Sequence, residues 1–256
     1  MAANFNASAI ESIRYIKTRV VSIDPDVLRE NLLVMGLYND PRSDIFRVLR
    51  TNILRQLRDN NWNNFAITST TPNAGKTFVS INLAMAIALE GNQTVILVEA
   101  DFRHPSIAQY LGIPIEFGIA DYLMGKVCLE EVLINPSFKG LVVLPGREAQ
   151  LNSSELMSSP KMMELLQEIK SRYESRIIIF DTPPLLIADD AMLLLPYIDG
   201  AVLVVEDGKN TSEELQHSIH ILEQTNLLGL VLNKSRQSSM LYQYGNYNVE
   251  PANSHQ

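Results

Sequence analysis

Six short segments of this 256-residue chain are almost purely apolar: FAITST, TVILVEA, LVVLPG, RIIIFD, AVLVVE and LLGLVLN. A strand with one wet face alternates apolar and polar residues, whereas an unbroken apolar run is buried on both faces. Six such runs restrict the chain to a mostly parallel sheet sandwiched between helices, an α/β fold of three layers. The helices come from the segments between them, chiefly KTFVSINLAMAIALEG, SPKMMELLQEIKSRY and TSEELQHSIHILEQT. The first of these closes at Gly91, read as a C-cap. Ahead of the first strand, DIFRVLRTNILRQLR spaces Ile45, Val48, Leu49, Ile53 and Leu57 as the apolar face of an amphipathic helix. Its other face carries Arg47, Arg50, Arg55 and Arg58. The chain therefore divides into an N-terminal arm over 1–40, interrupted by Pro25 and Pro41, a domain over 41–235 and a polar tail over 236–256.

Composition narrows the function classes. Hydrophobic residues make up 46% and charged residues 20%, the balance of an ordinary soluble protein. The formal net charge of −8 argues against nucleic acid as a partner, because non-specific binding needs a basic footprint. The single cysteine, Cys128, excludes an internal disulfide and a multi-cysteine zinc site, and fits a reducing cytosol. No run reaches the ~18–20 uninterrupted apolar residues of a membrane helix. The stretch from Ile177 to Val205 is broken by Asp181, Pro183, Pro184, Asp189, Asp190, Pro196 and Asp199. The expectation is a cytoplasmic protein that reaches a membrane only through a partner.

The segment Thr70-Thr71-Pro72-Asn73-Ala74-Gly75-Lys76-Thr77 stands between the first strand and the first long helix. It matches the phosphate-binding loop G-x-x-x-x-G-K-[ST] except that Thr70 replaces the first glycine. Backbone N–H groups at a helix start form an anion site. Lys76 can reach the β and γ phosphates and Thr77 can offer its hydroxyl to Mg²⁺, while Asn73 tolerates a left-handed backbone. Two strands end in acid, giving Glu99, Asp101 and Asp181. Carboxylates at the carboxyl ends of parallel strands face the ligand crevice, and beside a phosphate loop that is where a metal is held.

TSTTPNAGKT, ILVEADFRHP and IIIFDTPPLLIADDA, taken in this order and spacing, resemble the bacterial tyrosine kinases of polysaccharide synthesis and export. The similarity runs from about Asp44 to Asn233. That family has the deviant phosphate-loop fold of the partitioning ATPases. DIFRVLRTNI resembles its E-x-x-R-x-x-R helix, which joins subunits into a ring, with Asp44, Arg47 and Arg50 at the motif positions. LPGREAQLNSSELMSSPKMMELL resembles its LP-G…N-P-S-E-L-L segment, and GLVLNK the strand whose asparagine, Asn233, meets the adenine. The resemblance implies ATP and Mg²⁺ as cofactors, with Pro72, Asn73, Ala74, Gly75, Lys76, Thr77, Phe78, Arg103 and Asn233 around the nucleotide. It places the metal at Thr77, Asp101 and Asp181, and catalysis at Lys76, Glu99, Asp101 and Asp181. It further implies a homo-oligomer and a separate membrane-embedded activator, a polysaccharide co-polymerase. Glu99 stands where the family has an aspartate assigned to activating the tyrosine hydroxyl, and its stem is longer by one methylene, about 1.5 Å. Asp44 replaces a glutamate, and Asn73-Ala74 replaces the usual Gly-Glu.

The resemblance places the accepting tyrosines in a neighbouring subunit's tail, which here holds Tyr242, Tyr244 and Tyr247. The same tyrosines also fit a loose terminus, or a last helix packed through Met240, Leu241 and Tyr244. His104 reads as a solvated variant of a second arginine. His217 and His220, three apart with no third ligand nearby, read as surface histidines. Cys128, with no base near it in sequence, reads as buried packing. Three functions stay open: a tyrosine autokinase of exopolysaccharide or capsule export, a partitioning or division ATPase, and a weakly active nucleotide-binding regulator. Thr71, where the ATPases carry an extra lysine, and the polar tail count against the second.

Overall fold

The computed structural model describes residues 18–37, 39–171 and 176–235. Eight strands form one sheet: β1 (Arg19–Val20), β2 (Asn64–Ser69), β3 (Thr94–Glu99), β4 (Ile134–Asn135), β5 (Leu141–Leu144), β6 (Arg176–Asp181), β7 (Gly200–Glu206) and β8 (Leu227–Asn233). Their spatial order is β1-β4-β5-β3-β6-β2-β7-β8. The six apolar segments are β2, β3 and β5 to β8, and every pairing among them is parallel. The two-residue strands β1 and β4 carry no apolar run to announce them, and β4 lies antiparallel on β5.

Each central strand feeds two cores by its period of two. Ile67, Val95, Leu97 and Ile179 face one cluster with α1 (Pro25–Glu30), α2 (Ser43–Asn60), α3 (Lys76–Ala88) and α4 (Ile107–Leu111). Ala66, Ile96, Val98 and Phe180 face the other, with α5 (Ile119–Leu123), α6 (Leu129–Val132), α7 (Ser153–Met157), α8 (Pro160–Ser171), α9 (Asp190–Leu194) and α10 (Ser212–Ile221). The result is the three-layer phosphate-loop fold that the apolar runs predict.

Of α3, all but Phe78 is buried. A helix apolar all round must be covered all round. The sheet lies on one side and α2 on another, where Phe46 meets Phe78 edge to face with ring centroids 5.7 Å apart. The arm supplies the third wall. Leu28, Leu33, Val34 and Met35 join the core, and Asn82 of α3 holds the arm through the Met35 N–H and the Leu32 carbonyl, both at 3.3 Å. Residues 25–36 thus belong to the packed core, although two prolines make them read as an appendage.

Four expectations are corrected. The inner face of α2 is Phe46, Ile53, Leu54 and Leu57, while Ile45 and Val48 are 42% and 46% exposed. Phe46, drawn in by Phe78, sets the helix rotation. The run LLGLVLN is an edge strand with β7 as its sheet neighbour, so Leu230 and Leu232 stand 50% and 60% exposed. Cys128 is exposed rather than packed, because it sits at the start of the short α6, where its N–H donates to Glu131 Oε2 at 2.8 Å. The Glu131 carboxylate beside it pushes the thiol pKa up, away from the thiolate. The α3 helix ends at Ala88, and Gly91 closes the following turn at φ 77°.

Asp121 shows how the loops beside the sheet are fixed. Its carboxylate accepts the Gly118 N–H and an ammonium hydrogen of Lys126, each at 3.1 Å, and lies 3.6 Å from Arg147. Burial opposes its ionisation, but the Gly118 N–H and Lys126 outweigh that and hold its pKa below the usual value. A depressed carboxylate stabilises the fold above its unfolded pKa and loses that contribution as pH falls through the folded value. Asp121→Asn is therefore expected to cost ~1–3 kcal/mol at pH 7. The difference from the parent in urea melts should shrink below pH 3.8, the ordinary value for the group.

Candidate active site at the carboxyl ends of the strands

The strand β2 runs out at Ser69, and after six intervening residues α3 starts at Lys76. The intervening loop needs left-handed backbone twice, at Asn73 with φ 64° and at Gly75 with φ 93°. Asparagine tolerates that region and glycine enters it freely. The N-terminus of α3 carries no side-chain cap. Its first-turn N–H groups, the positive end of the helix, face the loop. Thr70, in place of the first glycine, is wholly buried, and its hydroxyl has no hydrogen-bond partner.

The register of the sheet puts the acids opposite this loop. Glu99 of β3 pairs with Asp181 of β6, and Asp181 lies one strand from Ile67 of β2. Lys76 Nζ is 2.7 Å from Asp101 Oδ2 and 4.0 Å from Asp181 Oδ2. The Thr77 hydroxyl donates to Asp181 Oδ2 at 2.6 Å, and Ser80 donates to the other oxygen at 3.0 Å. Asp101 Oδ1 accepts the His104 N–H at 3.0 Å. Lys76, Thr77, Glu99, Asp101 and Asp181 are all buried. Burial works against the Lys76 ammonium, yet Asp181 and Asp101 outweigh it and raise its pKa. Burial also raises the Asp181 pKa, against the pull of Lys76 and Thr77. For Glu99, burial and then the Asp181 charge lift the carboxyl well above its ordinary value.

The remaining expected positions divide. Asn233, at the end of β8, donates to the Ala74 carbonyl at 2.7 Å, and a side chain at Gly75 would meet its amide nitrogen at 2.2 Å. Pro72 and Asn73 are exposed on the loop, Ala74 is buried beneath it and Phe78 turns away onto Phe46. Arg103 is directed elsewhere: its Nε donates to Asp190 Oδ2 at 2.7 Å and an NH₂ nitrogen lies 3.3 Å from Asp189. Asp44 and Arg47 pair on the open face of α2 at 3.1 Å. Arg50 points inward, donating to the Ala86 carbonyl at 3.2 Å near the negative end of α3, with Glu90 3.6 Å away. His104 and His217 are exposed, as is His220, whose Nδ1 lies 3.0 Å from Glu223. Tyr242, Tyr244 and Tyr247 lie outside the described residues.

Sequence reading missed Ser80, Ser106 and Lys234. Ser80 sits one turn beyond Lys76, a spacing that signals a shared helix face. Ser106 places its hydroxyl 3.1 Å from that of Thr77. Lys234 Nζ donates to the Asn73 carbonyl at 2.6 Å. Its signal was adjacency to Asn233.

An uncapped helix start, a buried lysine and strand-end acids on one parallel sheet define a nucleotide-binding domain of the phosphate-loop class. Residues 64–232 match the AAA domain family. The chain is 32% identical to the tyrosine-protein kinase YwqD of Bacillus subtilis (strain 168) over 87% of its own length and 93% of that protein. It is 34% identical to the tyrosine-protein kinase Etk of Escherichia coli (strain K12) over 80% of its length, but spans only 28% of that longer chain. It likewise spans 28% of the EpsB proteins of Ralstonia. Among solved structures it superposes on the chimerical protein CapA2B2 with a TM-score of 0.75 at 28% identity, covering 86% of this chain and 94% of that one. The chain belongs to the bacterial tyrosine-kinase family. Among the described residues no helix is long and apolar enough to cross a membrane.

Because Lys76 is the cation between two buried acids, Lys76→Met strands both charges. Breaking a buried pair costs roughly 3–5 kcal/mol. Ligand-free Lys76→Met protein is expected to unfold at markedly lower urea than the parent at pH 7. Equal midpoints would show that the acids do not depend on the lysine.

Proposed function

We propose that the chain is an ATP-dependent protein-tyrosine kinase of an exopolysaccharide or capsule export system, which phosphorylates C-terminal tyrosines of a neighbouring copy. The observation that carries this is the convergence of the uncapped start of α3, Lys76 and Thr77 on Asp101 and Asp181. In this reading the backbone from Pro72 to Phe78 wraps the phosphates. Lys76 exchanges Asp101 for the β and γ phosphates. Asn233, already against the loop, meets the base, and Arg103 stands at the rim of the site.

The donor set fits Mg²⁺, a hard cation that takes oxygen ligands and keeps phosphate and water in its shell. Among the described residues no three His, Cys, Asp or Glu form a metal-holding group. A magnesium ion held partly by nucleotide needs only one or two carboxylates. Thr77, Asp101 and Asp181 would hold it, and when bound it neutralises charge on the transferring phosphoryl group. In the transfer, the tyrosine oxygen bonds to the γ phosphorus, the bond from that phosphorus to the bridging oxygen breaks, and ADP leaves. The phenolic proton passes to a strand-end carboxylate.

Asp44, Arg47 and Arg50 are the positions through which copies would join into a ring-type assembly; Asp44 and Arg47 are open to a neighbour, while Arg50 is turned inward. A separate membrane-embedded co-polymerase is the proposed activator, which would bring the protein to the inner face of the plasma membrane. A domain over 41–235 with an arm and a tail is the proposed division, with residues 25–36 of the arm packed into the domain's core. A second reading, a nucleotide-binding regulator with little transfer, is favoured by one observation: Glu99 Oε2 is already engaged by two backbone N–H groups.

The test is phosphate mapping by mass spectrometry after adding ATP and Mg²⁺ to the purified protein, with the activator's cytoplasmic segment supplied. The kinase reading expects phosphate on Tyr242, Tyr244 or Tyr247 and none in Lys76→Met. Nucleotide binding without phosphotyrosine would favour the regulator.

A further inference from the structure

Glu99 is the point where this chain departs from its family's pattern in the acidic strand end, and its surroundings are specific. Its Oε2 accepts two backbone N–H groups, Ser106 at 3.1 Å and Ile107 at 2.8 Å. These are the entry to α4, whose Ser106 makes no cap with its own side chain. Glu99 Oε1 is buried and has no hydrogen-bond partner. The added methylene lies in a slot that only glycine leaves open. A Cβ on Gly146 would stand 3.0 Å from Glu99 Cγ and 2.5 Å from Pro105 Cβ. The longer stem thus carries one carboxylate oxygen to the start of α4.

The loop from Phe102 to Ser106 is clipped at both ends by this strand terminus. Asp101 takes the His104 N–H and Glu99 takes Ser106 and Ile107. The clip sets the Ser106 hydroxyl 3.1 Å from that of Thr77, which in turn donates to Asp181. The partner of Asp101 Oδ2 is the side chain of Lys76, which phosphates can draw away. The partners of Glu99 are main-chain donors, which nothing in the reaction recruits.

We propose that Glu99 is a positioning residue: through the Ser106 and Ile107 amides it anchors the loop that carries Ser106 to Thr77. This rests on the kinase reading above, but the anchoring can be measured without it.

Three proteins decide the matter: the full chain, Glu99→Gln and Glu99→Ala. Glutamine keeps an acceptor for Ser106 and Ile107 but cannot take a proton, whereas alanine removes the anchor. Amide hydrogen exchange at Ser106 and Ile107, read by NMR, should match the parent in Glu99→Gln and be at least ~10-fold faster in Glu99→Ala, about one lost hydrogen bond. Affinity for ATP with Mg²⁺, by calorimetry, should follow the same order. Exchange in Glu99→Gln as fast as in Glu99→Ala would overturn the proposal, because glutamine keeps the acceptor. So would unchanged exchange in Glu99→Ala. If the parent itself forms no phosphotyrosine, the kinase reading fails, while exchange and affinity still decide whether Glu99 is the anchor.

Discussion

Everything at the open end of the sheet is organised around one buried cation. Lys76 reaches Asp101 and Asp181 in a space closed to water, and charge buried this deeply persists only when paired and hydrogen-bonded. Thr77 and Ser80 complete the shell of Asp181 from the same helix. The cluster ties β3, β6 and α3 to one point. It also stores an excess of negative charge that a ligand bringing its own cation can rearrange. A site of this kind is held ready by electrostatics.

The phosphate loop depends on that point and on a second clamp from the far side. The end of β8 lies across it, with Asn233 on the Ala74 carbonyl and Lys234 on the Asn73 carbonyl. Lys234 is balanced by Glu206 at 3.3 Å, at the end of the neighbouring strand. Two residues in left-handed conformation are thereby held by partners from another part of the chain, which is how costly backbone geometry persists. The segment leading to the tail begins at this clamp.

On the opposite side of α3 the constraint is dielectric in origin. Arg50 and Arg58 both reach Glu90 beyond the end of the helix, and Arg50 also takes a free carbonyl there. Positive charge at a helix C-terminus offsets its dipole. This leaves Asp44 and Arg47 as the outward members of the α2 motif, beside the exposed Ile45 and Val48. One helix thus serves the core with one face and leaves a mixed apolar and charged face exposed.

The sequence by itself determined the layers, the parallel sheet and the loop, because burial on two faces and a helix start after a strand are written in consecutive residues. It also located Lys76, Thr77, Asp101 and Asp181, whose types and spacing leave few other uses. Tertiary structure decided what depends on residues far apart in the chain. The rotation of α2 followed from Phe78, and the edge position of β8 exposed leucines that read as core. The arm became a wall of the core because α3 needed a third cover. Cys128 came to the surface because a short helix began beside it. Glu99 is the sharpest case: its identity was plain, but only Gly146 and the amides of Ser106 and Ile107 decide where its carboxylate goes. A side chain's chemistry is local to the sequence, while its direction is set by whatever the fold packs around it.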